Sequence, residues 1–168
     1  TATLNPFRFH PSYMEIADLS LEERVKIMNT SQFKEKLLKE NAVSINPLVD
    51  EIVNAYGKMF KLGEPANYEP DPNTSFLSLA NLSNMTAEEI AYDAMLEKEG
   101  KALIYHPLFN YQTGDLSLVE KMLKHPYTIA GLGDAGAHCG AISDASFPTT
   151  LVQHWSRDRD RGEKLPLE

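Results

Sequence analysis

Apolar side chains recur along this chain with helical spacing at first and in short unbroken runs later. Leu21, Val25 and Met28 stand behind Ser20, and Ser20 with Glu23 makes a capping box, so a helix is expected to open there. Thr30 or Ser31 caps a second helix, with Phe33, Leu37 and Leu38 on its inner face. Asn46-Pro47 breaks the chain, and a third helix is expected from about Leu48 to Met59. Thr86 and Glu89 form another capping box, for a helix running through Leu96 that Gly100 ends. Beyond it the character changes. The apolar run from Lys101 to Tyr105 reads as a buried strand. A helix from Leu116 to Lys124 follows, opened by Asp115 or Ser117 and stopped by His125-Pro126, and Tyr127 to Leu132 reads as a second buried strand. Strand, helix and strand in that succession predict a βαβ unit with parallel strands. Phe147 to Arg159 is expected to be helical, with Leu151, Val152 and Trp155 facing inward.

Two stretches lack either period. Residues 1–18 hold Pro6 and Pro11 among aromatic residues, a pattern that opposes a helix. Residues 63–75 contain Pro65, Pro70 and Pro72 and suit a surface connection or a lid. The organisation is therefore a helical and loop segment over residues 1–80, then an α/β segment over residues 81–168, with no internal repeat.

The 168 residues are 42% hydrophobic, enough for a true core. The net charge of −8 argues against a nucleic-acid-binding surface, which needs clustered Lys and Arg. Arg157, Arg159, Arg161 and Lys164 are interleaved with Asp158, Asp160 and Glu163, as on a solvated face. Cys139 is the only cysteine, so no disulfide forms within the chain, which fits a reducing compartment; a cytoplasmic location is expected. No apolar run approaches the roughly 18 residues of a membrane span, and no signal peptide is visible. The chain opens on Thr1 and stops in mid-pattern at Leu167-Glu168, so a piece of a longer protein is expected.

The densest chemical signal is Gly131-Leu132-Gly133-Asp134-Ala135-Gly136-Ala137-His138-Cys139-Gly140. An apolar run leads straight into Asp134, and in parallel α/β folds sites gather at the carboxyl ends of strands. A carboxylate there can hold a metal or take a proton from water, while the glycines let a ligand approach the backbone. The competing reading is a turn, which Asp starts and Gly completes. His138 is placed to share a metal or a substrate with Asp134. His106, after the first predicted strand, faces the same mouth if both strands belong to one sheet. Asp144 reads as the cap of the following helix, Cys139 as a packed thiol, and Arg8, Phe7, Phe9 and Tyr13 as packing residues rather than a pocket.

Gly131 to His138, Ser143-Asp-Ala-Ser-Phe-Pro148, His154-Trp155 and Arg161-Gly-Glu-Lys-Leu-Pro-Leu167 together resemble the end of an N-acyl-D-amino-acid deacylase, a D-aminoacylase-like metal-dependent amidohydrolase. Asn5-Pro-Phe7, His10-Pro-Ser-Tyr13, Ile16-Ala-Asp-Leu19 and Tyr68-Glu-Pro-Asp-Pro72 extend the resemblance over nearly the whole chain. It implies an α/β fold, a partial (β/α)8 amidohydrolase barrel contributing the last strands, with a largely helical insertion near the barrel mouth. It also implies that Asp134 is metal ligand and catalytic acid/base, and that zinc polarises the amide of a small substrate and activates a water; on that hydrolase reading His138 is expected to contact the substrate. The family binds zinc through a His-x-His pair and further histidines. This chain has none of that pairing: its histidines are His10, His106, His125, His138 and His154. Zinc is accordingly expected in the full-length enzyme, and neither tight zinc binding nor deacylase activity is expected of this chain alone.

Barrel strands without neighbours leave open edges, to be covered by a second copy, by the missing barrel half, or by the helices of residues 19–60. Two other functions stay open: a non-catalytic binding or scaffold domain derived from an amidohydrolase, and a self-standing hydrolase built on Asp134, His138 and His106.

Overall fold

A computed structural model describes residues 5–44, 46–131, 133 and 144–167. The described residues are helical with one small antiparallel sheet, and the chain divides into two compact units, Thr1–Leu108 and Phe109–Glu168. The expected division after residue 80 falls inside the first unit, because the helix that begins at Ala87 packs on helices that precede it.

The first unit begins with α1 (Pro11–Ile16), where a coil was expected. Pro11 sits in the first turn, where a missing N–H costs nothing and a fixed φ helps, so this proline starts a helix rather than breaking one. Next come α2 (Leu21–Met28) and α3 (Ser31–Leu38). The Ser20 capping box is formed in both directions, and the Thr30 side chain accepts from the Phe33 N–H. The Asn46 side chain caps α4 (Pro47–Val53), which stops short of the expected Met59; a 3₁₀ turn over Tyr56–Lys58 follows. An unforeseen helix, α5 (Phe76–Asn81), is capped by Ser75. The Thr86 capping box opens α6 (Ala87–Gly100), whose helical geometry ends after Leu96, as expected. Lys98, Glu99 and Gly100 then take positive φ. A Cβ on Gly100 would lie 2.4 Å from Val25 Cγ2, so glycine is required there by both its φ and its packing.

Tyr92, on α6, lies at the centre of the core. Its ring meets Phe7 edge-on at 5.6 Å, and its hydroxyl donates to the Met28 carbonyl at 2.6 Å. Around it gather Leu37, Phe76, Met59 and Ala91.

The sheet corrects the sequence reading. Strands β1 (Phe60–Lys61) and β2 (Ile104–Tyr105) pair antiparallel, Phe60 with Tyr105 and Lys61 with Ile104. The strand expected at 101–105 is present in its second half, but its partner precedes it in the chain. The described residues of the second expected strand, 127–131, form none, and Tyr127 and Ile129 are each 92% exposed. The apolar content was read correctly, but none of the described residues covers that run.

The second unit holds α7 (Ser117–Leu123), α8 (Phe147–Thr150) and a π-helical segment over Leu151–Asp158. Trp155 is buried as expected, whereas Val152, expected to face inward, is 53% exposed. Asp115 lies one residue before Leu116, the cap position of α7, and accepts from the Ser117 N–H at 3.0 Å and the Thr113 hydroxyl at 2.8 Å. Hydrogen bonds from the Ser117 side chain, its backbone and Thr113 hold the Asp115 pKa at about 2. Asp115→Ala is expected to lower stability by about 1 kcal/mol. That contribution is complete above the ordinary value of 3.8 and lost as pH falls through about 2, a window that acid-induced unfolding would read directly. Among the described residues no helix is long and apolar enough to cross a membrane.

Candidate functional site

Asp134, His138 and Cys139 lie outside the described residues. Gly133 and Asp144, which flank them, approach one another: a Cβ on Gly133 would stand 2.8 Å from the Asp144 carbonyl oxygen. Asp144 does not cap α8 with its side chain as expected. The residue before that helix is Ser146, which makes no side-chain cap, and Asp144 contributes its carbonyl to the Phe147 N–H at 2.9 Å.

The resemblance implies zinc, and the described histidines do not fit it. His10 stands edge-on to Phe7, His125 lies beside Tyr127, and His154 beside Trp155. Among the described residues no three His, Cys, Asp or Glu side chains come together as a metal site would need.

What the structure does form is a cavity of about 280 Å³ within the first unit. Its walls are mostly apolar, with Met28, Met59, Met95 and Ile104 among them, and four polar side chains interrupt them: Asn5, Tyr13, Arg24 and His106. Among the described residues no Asp, Glu or Lys lines it. His106 follows β2 and is partly buried; burial first, and the Lys58 charge second, hold its pKa below the ordinary value of 6.5. Tyr13, read from the sequence as a packing residue, packs and also lines the cavity.

Arg24 is the feature the sequence reading passed over. It is 7% exposed, and its Nε has no hydrogen-bond partner. Among the described residues its side chain makes one hydrogen bond, from Nη1 to the Tyr13 hydroxyl at 3.4 Å, near the outer limit for such a bond. The second buried arginine, Arg159, shows what is usual: it pairs with Glu120 at 2.6 Å, donates to the Glu163 carbonyl and lies over the Trp155 ring. A signal for Arg24 was present in the sequence. Leu21, Arg24, Val25 and Met28 stand at i, i+3, i+4 and i+7, so the apolar stripe of α2 carries a cation in its second position.

A pH dependence follows from buried His10 and partly buried His106. His10, like His106, is held below 6.5 chiefly by burial, against the opposing pull of Glu40 and Glu88. The unfolded chain therefore binds more protons than the folded one in mild acid. Stability is complete above 6.5 and is lost as pH falls from there through the folded values. Urea midpoints measured from pH 7.5 down to 5 are expected to fall, and His10→Gln with His106→Gln to flatten the slope; an unchanged slope would assign it to other groups.

No family model, no curated protein and no solved structure matches this chain.

Proposed function

We propose that the chain is the carboxy-terminal part of a metal-dependent hydrolase that cleaves the amide bond of N-acyl-D-amino acids or similar amides. Asp134 is its catalytic acid/base, and His138 is a substrate contact. The finer architecture proposed with it is the last part of a (β/α)8 barrel carrying a helical insertion. One observation carries this reading: the run from Gly131 to His138, in which small residues surround a single carboxylate after an apolar segment. The uncovered apolar residues Tyr127 and Ile129 support it, since a barrel strand requires neighbours on both sides. The test is made on the protein at its natural length, with intact mass and zinc content measured on the same sample. Hydrolysis of N-acetyl-D-amino acids is expected. A zinc-loaded protein inert toward these and toward cyclic amides would overturn the proposal.

A second reading, a non-catalytic binding domain, is favoured by the cavity of the first unit, which holds a cation and an apolar wall but no carboxylate to act as a base.

A further inference from the structure

We infer that the cavity of residues 5–108 is a binding site for a small organic monoanion, a carboxylate on an apolar body, with Arg24 as its charge partner. The inference does not depend on the hydrolase reading, because it concerns binding alone.

Three observations converge on it. First, Arg24 is more than nine-tenths buried with no carboxylate partner among the described residues, and a desolvated guanidinium without an anion is unfavourable. Its planar fork of N–H donors matches a carboxylate. Second, Asn5 lines the same cavity. Its Oδ1 accepts from the Phe7 N–H at 2.9 Å, while its Nδ2 is buried without a partner, so a second donor is left unused. Third, Arg24 is the one permanent charge in the lining, since burial favours neutral His106.

The rest of the wall selects the ligand. A single cation balances one negative charge and not two, which disfavours phosphate. Methionine and isoleucine walls reward an apolar body, and methionine adapts to its shape. A cavity of about 280 Å³ lies at the lower end of the range for small-molecule sites. A medium-chain or aryl-alkyl carboxylate is of that size.

Octanoate is the probe, its neutral isostere octanamide the first control and inorganic phosphate the second. Titration calorimetry is run on the protein at its natural length and on the 168-residue chain. Octanoate is expected to bind both with one site, about ten- to a hundredfold tighter than octanamide, with no competition from phosphate. Arg24→Met is expected to lose that preference and yet to melt no lower than the parent without ligand, because an unpaired buried cation has been removed; a structural arginine would show the opposite. Ala102→Phe, which puts a ring into the cavity and keeps Arg24, is expected to abolish binding. Equal affinity for octanoate and octanamide, competition by phosphate, or unchanged binding by Arg24→Met would overturn the inference. So would binding by the 168-residue chain and not by the natural-length protein, since a side chain of the same protein would then occupy the cavity. If Arg24→Met does not fold, the octanamide comparison and Ala102→Phe decide the matter.

Discussion

Tyr92→Ala is expected to lower the stability of the first unit by about 3–5 kcal/mol, the range for deleting a large aromatic side chain from a packed interior. Three contributions combine. The ring is 0% exposed and its loss leaves a void that the backbone of α6 cannot close. The edge-on contact with Phe7 at 5.6 Å disappears, and with it the tie between α6 and the segment before α1. The Met28 carbonyl loses the hydroxyl that now donates to it at 2.6 Å. Tyr92→Phe isolates the last contribution and is expected to cost about 1 kcal/mol. Since domains are stable by only about 5–15 kcal/mol, the alanine variant should be partly unfolded in mild denaturant. Urea unfolding followed by circular dichroism checks this. A loss under about 1 kcal/mol for Tyr92→Ala would mean that the helices do not meet around this ring.

Asp134→Asn, in the natural-length protein, is expected to reduce kcat for an N-acyl-D-amino acid by at least about a hundredfold with KM nearly unchanged. The proposal gives this carboxylate two proton transfers, from the attacking water and to the departing nitrogen. The amide of asparagine can do neither at neutral pH. Zinc content measured on the same sample separates a lost proton carrier from a lost metal, because the same residue is proposed as a ligand. A near-normal rate would remove Asp134 from the mechanism. A fall in rate matched by a fall in zinc would assign it a ligand role only.

Where a side chain closes a bond with its own neighbourhood, the sequence was mostly enough, Ser75 at the head of α5 being the cap that was missed. Ser20 with Glu23, Thr30, Thr86 with Glu89, and Asp115 each mark a helix start that the structure reproduces. Gly100 marks an end for the same local reason. Pairing across the chain was not legible. Ile104–Tyr105 was readable as a strand, but nothing local says that Phe60–Lys61, separated from it by α5 and α6, lies beside it. Two-residue strands also carry too few positions to show a period. The segment from Tyr127 failed differently: its composition is that of a buried strand, and burial needs neighbours that the described residues do not place there. Of the candidate site, Asp134 and His138 were legible as chemistry and lie outside the described residues. Arg24 was visible only as an irregularity in a stripe, because a single charge in an apolar period is ordinarily read as noise.

The uncovered run bears on how the protein behaves at high concentration. Tyr127, Thr128 and Ile129 favour β pairing and are open to other molecules. Pro126 stands immediately before them and cannot donate to a ladder, while Gly131 and Gly133 beyond them weaken any extension. Breakers at both ends leave Tyr127 to Ala130, shorter than the six or so residues a dry steric zipper requires. A net charge of −8 adds repulsion between copies. The run thus favours β pairing by composition and is too short to seed a fibril.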